Sequence, residues 1–254
     1  MEPIVSYTIW FSQRTGSTML ARELESTGIA GKPHEWLLTR EGVGLLETYA
    51  AEDASAFVQA LYRLGMTENG VYGAKVSWYE PRMSETFALL RELPGCPEGV
   101  TRPEVWEHAF PNHIHIFMTR RNKVRLAVSW WRAIKSGEWH RRVDAEEPRP
   151  VRVPDVDEDY DFHAIDALVA EAVMREAGIQ AFFAEAMVLP LTVVYEDFIL
   201  DYERVGRQIL RTLGLDPMMT MEDIEFSPTA DEIAEAWVQR YREERQAGWT
   251  HRGW

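Results

Sequence analysis

The chain has 254 residues, of which 46% are hydrophobic and 27% are charged, and its formal net charge is −14 at pH 7. This length suits one α/β domain, or a domain with a modest additional lobe, and can bury a substantial core. The negative charge argues against a general nucleic-acid-binding protein, because contacts to phosphates dominate that affinity. The single cysteine, Cys96, excludes an internal disulfide framework and suits a reducing compartment.

The amino-terminal residues lack the basic segment and long apolar segment of a secretory signal. No run of residues approaches the apolar length of a membrane span. We therefore expect a soluble, cytoplasmic protein without a membrane span.

The first predicted elements are a strand over residues 4–10 and a helix over residues 18–27. The segment that joins them, residues 11–18, reads Phe-Ser-Gln-Arg-Thr-Gly-Ser-Thr. A Gly/Ser/Thr loop between a strand and a helix is typical of an anion site, because backbone N–H groups and the helix dipole converge there. An ordinary N-cap by Ser17 or Thr18 is the alternative interpretation.

This loop differs from a Walker A loop, which has the pattern G-x-x-x-x-G-K-[ST] and uses its lysine and hydroxyl on phosphates and magnesium. Here no lysine follows Gly16, and Arg14 precedes it. Arg14 can form charge-assisted hydrogen bonds to a phosphate or a sulfate. The loop therefore predicts a phosphate-type donor whose chemistry needs no metal.

Helices and strands alternate along the rest of the chain, which predicts a parallel sheet flanked by helices. Helical spacing covers residues 42–64, with an interruption at 52–54, and residues 82–91, 124–134, 163–185, 202–213 and 231–246. Further strands are predicted over residues 71–78, 114–119 and 191–195, the last of them buried. Residues 137–160 contain four prolines or glycines and are predicted to form a long loop or lid. We expect a single domain over residues 1–254.

A second candidate anion site follows the strand over residues 114–119. Between positions 120 and 142, eight basic residues face a single acidic residue, which indicates a small anionic ligand or, alternatively, a solvated helix face. Arg121, at the carboxyl end of the strand, and Ser129, two helical turns later, could hold one phosphate from two sides. Ligands of open α/β folds lie at this edge of the sheet.

Four ordered segments carry a family resemblance. They are residues 12–18 (SQRTGST), 27–36 (TGIAGKPHEW), 69–75 (NGVYGAK) and 127–133 (AVSWWRA), and residues 195–197 and 237–241 add to them. Together they resemble the sulfotransferases that use 3′-phosphoadenosine 5′-phosphosulfate (PAPS), and more closely the bacterial trehalose sulfotransferase family. The resemblance covers nearly the whole chain and implies a P-loop-like, three-layer fold.

The resemblance also implies roles for single residues. The 5′-phosphosulfate would be held by Arg14, Thr15, Gly16, Ser17 and Thr18. The 3′-phosphate would be held by Ser129 with either Arg120 or Arg121, and both arginines remain open. Glu35 would accept the proton of the acceptor hydroxyl, with His34 as the alternative base. The family further suggests a homodimer.

Lys75 lies within an apolar strand, where an unpaired ammonium group would be costly. Its partner could be an oxygen of the donor or acceptor, or else a buried carboxylate. Lys75 or Arg14 could also stabilise the charge that grows on the bridging oxygen as the S–O bond breaks.

Aromatic residues flank these motifs. The rings of Trp36, Trp78 and Trp139, together with His34, suit the faces of a sugar, although core packing is the alternative. His113 and His115 share one face of a strand, but no third ligand stands at a suitable spacing, so we expect no metal site.

The leading hypothesis is a PAPS-dependent sulfotransferase that transfers a sulfuryl group in line to a hydroxyl of a carbohydrate or glycoconjugate. One alternative is a P-loop-like kinase, which predicts a Walker lysine. The other is a non-catalytic nucleotide-binding protein. The determinants of the acceptor are expected in residues 41–66 and 137–160, where motif content is lowest.

Overall fold

The structure, a computed structural model, describes residues 2–139, 152–221 and 231–249. These residues form two compact units. The sheet unit contains residues 2–121 and 174–221, and the helical unit contains residues 122–139, 152–173 and 231–249.

The described strands and helices follow the predicted alternation. The strands are β1 (Val5–Phe11), β2 (Val71–Ser77), β3 (His113–Thr119) and β4 (Leu191–Val194). The helices are α1 (Ser17–Ser26), α2 (Leu45–Thr48), α3 (Ala54–Gly65), α4 (Glu80–Leu90), α5 (Arg102–Ala109), α6 (Lys123–Ser136), α7 (Phe162–Glu185), α8 (Tyr195–Phe198), α9 (Tyr202–Thr212) and α10 (Glu232–Gln246).

The sheet is parallel, with the strand order β2-β1-β3-β4. This arrangement confirms the predicted parallel sheet flanked by helices. The chain leaves β1 toward β2 on one side and later enters β3 on the other side, so the strand order reverses at β1 and β3. In open α/β sheets the ligand site lies at the carboxyl ends of the strands at such a point.

The side chains of β1 alternate between two cores, which is why this strand reads as a continuous apolar run. Tyr7, Ile9 and Phe11 belong to one buried cluster, which contains residues of α1 and α9. Trp10 belongs to the other cluster, which contains the α7 residues Ile179, Phe182 and Phe183. Both faces of the sheet are therefore covered by helices.

The structure differs from the sequence analysis at one strand and one helix. Strand β4 was expected to be buried, but only Val193 is buried because β4 lies at the edge of the sheet. Helix α5 was not predicted, because the preceding segment is rich in glycine and proline. Its signal is a capping box between Thr101 and Glu104, followed by a proline in the first turn.

The helical unit consists of α6, residues 162–173 of α7, and α10. Trp237 and Tyr241 of α10 are buried there together with apolar residues of α6. Residues 140–151 of the predicted loop or lid lie outside the described residues. Residues 137–139 and 152–160 form neither helix nor strand.

Glu23 of α1 is fully buried, and both oxygens of its carboxyl group lack a hydrogen-bond partner in the described part of the chain. Helix α9 approaches it closely at Gly206, where an added Cβ would lie 2.5 Å from Glu23 Oε1. Burial, and secondarily the nearby charge of Glu203, raises the pKa of Glu23 from its ordinary value of 4.5 to about 8. Glu23 is therefore an acid that the fold keeps protonated at neutral pH.

We expect the free energy of unfolding to fall as the pH rises from 4.5 to 8, because the folded protein binds one more proton at Glu23 than the unfolded chain does. Through Glu23, the free energy of unfolding falls by at most about 1.4 kcal/mol per pH unit. Above pH 8 Glu23 is ionised in both states, so this fall ends. Glu23→Gln should flatten this dependence, as measured by urea unfolding across the pH range. Glu47→Gln, at an exposed position of α2, serves as the control. An unchanged slope in Glu23→Gln would contradict the assignment.

Candidate active site

The loop between β1 and α1 has the backbone of an anion cradle. Arg14 (φ 62°) and Gly16 (φ 85°) both adopt the left-handed conformation. For arginine this costs on the order of 1–3 kcal/mol, and such strain concentrates at functional sites. The buried hydroxyl of Thr15 donates to the carbonyl of Ser12 over 2.9 Å and closes the turn.

Gly16 is the N-cap of α1, so neither Ser17 nor Thr18 occupies that position. Glycine offers no side-chain acceptor to the backbone N–H groups of the first turn, and a helix N-terminus without such a cap can bind an external anion. The structure thus favours the anion-binding interpretation of the loop over simple capping.

Gly16 also lies against the start of α8. An added Cβ would fall 2.8 Å from Cδ2 of Tyr195, in addition to the strain of a positive φ. The guanidinium group of Arg120 lies 4.5 Å from the centre of the same ring. The ends of β3 and β4 therefore border the loop through Arg120 and Tyr195.

Arg120 and Arg121 have different environments. Arg120 is 13% exposed, and its Nη1 donates to the carbonyl oxygen of Arg14 over 3.3 Å. Arg121 is 59% exposed and forms two parallel hydrogen bonds to Asp197, of 2.8 and 2.5 Å. These hydrogen bonds hold the pKa of Asp197 below its ordinary value. Arg120 thus lies at the anion loop, with Glu196 Oε1 3.9 Å from its Nε, whereas Arg121 is held by two hydrogen bonds to Asp197.

Lys75 connects the anion loop to Glu35. Its side chain is only 8% exposed, and its Nζ lies 2.9 Å from Glu35 Oε1 and donates to Thr18 Oγ1 over 2.9 Å. The partner of Lys75 is therefore a carboxylate, but it is the partly exposed Glu35, the candidate base, rather than a buried carboxylate. Glu35 is 31% exposed, so it is accessible to a substrate hydroxyl.

The backbone explains why Glu35 reaches Lys75. The carbonyl of His34 accepts a hydrogen bond from the backbone N–H of Lys75, and His34 pairs with Ala74 as an isolated parallel bridge beside β2. Adjacent side chains of an extended segment point to opposite sides. Accordingly, Nε2 of His34 lies 3.1 Å from Glu25, while Glu35 contacts Lys75.

The aromatic candidates divide into three cases. Trp36 donates its indole N–H to the carbonyls of Lys32 and Gly73, each over 3.1 Å. Trp78 is 1% exposed and lies in the core, so its expected contact with a sugar is wrong and core packing explains it. Trp139, in the helical unit, is 43% exposed.

Ser129 lies on α6 in the helical unit, whereas Arg120 and Arg121 lie in the sheet unit. That these residues bind a 3′-phosphate together therefore stays a prediction.

Within the helical unit, much of the basic segment is paired with carboxylates. Arg125 lies 2.6 Å from Glu235, Arg132 2.5 Å from Asp231, and Lys135 3.1 Å from Asp159.

His113 and His115 pack among aromatic rings. The indole N–H of Trp10 donates to Nδ1 of His115 over 2.9 Å, and that of Trp106 donates to Nε2 of His113 over 3.1 Å. Burial lowers the pKa of His115 to about 4, so its ring is neutral at physiological pH. Within the described ranges, no three His, Cys, Asp or Glu side chains are grouped to hold a metal ion.

Two residues of α7 at this edge of the sheet were not predicted. Arg175 Nη1 donates to Gln13 and Ser77 over 2.9 Å each. Glu176 accepts hydrogen bonds from Ser12 (3.2 Å) and Thr119 (3.0 Å). No motif marks either residue. Their partners lie between 57 and 164 residues away along the chain, so the sequence carries no signal for these contacts.

Comparisons with known proteins agree with this geometry. The model of the Stf0 sulphotransferase family matches residues 6–244. The chain is 28% identical to a trehalose 2-sulfotransferase of Mycolicibacterium smegmatis, over 95% of this chain and 96% of the relative. It is 26% identical to a trehalose 2-sulfotransferase of Mycobacterium tuberculosis, over 94% of each chain.

A solved sulfotransferase from Alicyclobacillus acidocaldarius covers 95% of this chain and 94% of its own, with 15% identity and a TM-score of 0.47, a similarity too weak to support an argument. The parallel sheet with a Gly/Ser/Thr loop after β1 defines an α/β protein whose loop has the form of an anion site. More specifically, the chain belongs to the Stf0 sulphotransferase family. The resemblance to this family that the motifs indicated is confirmed.

Helices long and apolar enough to cross a membrane are absent from the described residues.

We expect Gly16→Ala to destabilise the protein more than Gly28→Ala does. Both glycines have a positive φ, so each alanine costs about 1–2 kcal/mol in backbone strain. A Cβ at position 28 would meet nothing within 4 Å, whereas at position 16 it would overlap the ring of Tyr195 and add roughly 1–3 kcal/mol. Denaturant unfolding of the two variants measures the difference. Equal losses would show that the contact with Tyr195 is unimportant.

Proposed function

We propose that this sulfotransferase moves a sulfuryl group from PAPS to a hydroxyl of a carbohydrate acceptor. The observation that carries the proposal is the contact of Lys75 with both Glu35 and Thr18, which joins a proton acceptor to the anion loop. Family membership supports sulfuryl transfer. The trehalose 2-sulfotransferase relatives support a sugar as the acceptor.

The residues of the loop fit a phosphosulfate donor. The glycine N-cap leaves the first turn of α1 to an anion, and a Cβ there would displace Tyr195. The bound donor would supply the sulfuryl group, whose sulfur accepts the attacking oxygen as its bond to the phosphate oxygen breaks. Arg14, Thr15, Gly16, Ser17 and Thr18 would hold the phosphosulfate, and Arg14 and Lys75 would stabilise the charge on the departing oxygen.

Glu35 would accept the proton of the acceptor hydroxyl. Lys75 holds Oε1 at 2.9 Å, so the carboxylate is fixed in orientation while Oε2 can face the acceptor. His34 is the less suitable base, because its ring is engaged by Glu25 on the other side of the segment. His34 and Trp36, adjacent to Glu35, would border the acceptor.

We expect Glu35→Gln to lower kcat by roughly 10²- to 10⁴-fold, the usual contribution of a general base. The affinity for 3′-phosphoadenosine 5′-phosphate (PAP) should stay near the wild-type value, because Gln keeps the shape of the side chain and an oxygen for Lys75. Steady-state kinetics with PAPS and trehalose, combined with calorimetric titration of PAP, measure both quantities.

Glu98→Gln, at an exposed position outside residues 41–66 and 137–160, is the matched control for this experiment. If Glu35→Gln retains the wild-type kcat, Glu35 is not the base, and His34→Gln then tests the alternative.

Of the two candidate arginines, we propose Arg120 for the 3′-phosphate. Its charge is largely buried and lies at the loop, where the low dielectric strengthens an ion pair. Glu196 Oε1 lies 3.9 Å from Nε of Arg120, beyond hydrogen-bond distance, whereas an anion at Arg121 would first have to displace two hydrogen bonds to Asp197.

We expect wild-type protein to bind PAP more tightly than AMP, which lacks the 3′-phosphate, or ATP with magnesium. Arg120→Met should reduce the ratio of PAP to AMP affinity by roughly tenfold or more, since a charge-assisted contact contributes about 1.5–3 kcal/mol. Arg121→Met should change this ratio little. Calorimetric titrations with the three nucleotides decide between the arginines, and a larger loss in Arg121→Met would reverse the assignment.

Several expectations stay predictions of the sequence. They are the single domain, the acceptor-side loop over residues 137–160, the homodimer, the cytoplasmic location and the roles of Ser129 and Trp139. Preferential binding of ATP with magnesium would favour a kinase. PAP binding without sulfuryl transfer to any hydroxyl would favour the non-catalytic alternative.

A further inference from the structure

We propose that Gln13, Ser77, Tyr79 and Arg175 form the subsite that holds the acceptor, and that its ligand is a neutral polyhydroxyl ring. The inference rests on the proposed function, because it assigns a place to the acceptor of that same reaction. It differs from the expectation that residues 41–66 and 137–160 determine the acceptor.

Three polar side chains from different parts of the chain converge in this subsite. Nη1 of Arg175 donates to Gln13 Oε1 and to Ser77 Oγ, each over 2.9 Å, and Ser77 Oγ donates to Gln13 Oε1 over 3.0 Å. Gln13 has two amide donors, and Ser77 Oγ can accept a further hydrogen bond. The cluster therefore keeps donors and acceptors for the hydroxyls of a ligand.

The subsite lies beside the groups that would perform the transfer. Ser77 stands two residues beyond Lys75 on β2, so both side chains emerge on the same face, roughly 7 Å apart. Gln13 immediately precedes Arg14 of the anion loop. A ring about the size of one monosaccharide unit, held at Ser77 and Gln13, would bring a hydroxyl toward both Glu35 and the loop.

Tyr79 supplies an apolar surface at the edge of this polar cluster. It follows β2 as the N-cap of α4, and its side chain is 52% exposed. The guanidinium group of Arg175 lies 5.7 Å from its ring centre. An aromatic ring beside a few converging polar groups is the composition of a small-molecule site, and the C–H face of a sugar can pack on it.

The close approach of α7 to β2 builds the subsite. A Cβ at Gly178 would lie 2.4 Å from Nε1 of the buried Trp78, so glycine allows the helix to pack directly on that ring. Arg175 is one helical turn earlier. This packing brings Arg175 within hydrogen-bond distance of Ser77.

The surrounding charges favour a neutral ligand. Glu176 accepts a hydrogen bond from Ser12, next to Gln13, and Glu35 lies 2.9 Å from Lys75. An anionic acceptor would be repelled by these carboxylates, and a cationic acceptor would be repelled by Arg175 and Lys75. Hydroxyl groups, in contrast, can donate to the carboxylates and accept from the cations.

The experiment measures two properties of each full-length variant: PAP affinity by calorimetry, and kcat and KM for trehalose with saturating PAPS. We expect Tyr79→Ala and Arg175→Gln to raise KM for trehalose by roughly tenfold or more, as the loss of a packing surface or a charged hydrogen bond implies. PAP affinity should change less than about twofold, which also shows that the variants are folded. Arg211→Gln, at an exposed position of α9 outside residues 41–66 and 137–160, is the control.

Wild-type kinetics in both variants would overturn the subsite, and so would an equal loss of PAP affinity, because the residues would then serve the donor. If wild-type protein binds PAP but transfers nothing to trehalose, glucose or maltose, the proposed ligand class is wrong while the donor site stands. If wild-type protein binds no PAP, the proposed function fails and the subsite fails with it.

Arg175→Lys keeps the charge but loses the paired hydrogen bonds. Its KM for trehalose should lie between those of wild type and Arg175→Gln.

Discussion

The nearly buried ammonium group of Lys75 is the constraint on which the site depends. An unpaired ammonium group at 8% exposure would cost several kcal/mol, and Glu35, at 31% exposure, is its partly solvated partner. Lys75 is satisfied by Glu35 and Thr18, which come from two different segments. Because its own backbone N–H also binds the carbonyl of His34, the fold cannot satisfy Lys75 without placing Glu35 beside the anion loop. Stability and the proposed chemistry therefore require the same contacts.

The parallel sheet explains why these residues meet. Gln13, Ser77 and Arg120 follow or end three neighbouring strands, and the carboxyl ends of parallel strands share one edge. The strand order reverses between β1 and β3, which separates the two loops and opens a crevice. Helix α7 completes this edge, because its tight packing at Gly178 places Arg175 and Glu176 over the ends of the strands.

The sequence predicted those features whose cause is local. The apolar run of β1 and the Gly/Ser/Thr loop after it have the pattern of a buried strand and an anion cradle, and both are found with small shifts in their bounds. For Lys75 the sequence predicted the need for a partner but not the partner, since periodicity carries no information on which segments touch. For the same reason the sequence did not predict the contacts of Arg175, whose partners Gln13 and Ser77 lie far away along the chain. Trp78 shows the converse error: its position beside a motif suggested a ligand contact, whereas packing against α7 buries it.

Burial, rather than the number of basic residues, distinguishes the cations of the site. The chain has 41 acidic and 27 basic residues, so its overall field does not attract anions. Arg121, at 59% exposure, is screened by solvent as well as paired with Asp197. Lys75 and Arg120 are 8% and 13% exposed, so solvent screens their interactions with Glu35, with Glu196 and with an anion at the loop much less. An anion of the right shape would therefore be recognised at the loop, while the acidic surface excludes anions elsewhere.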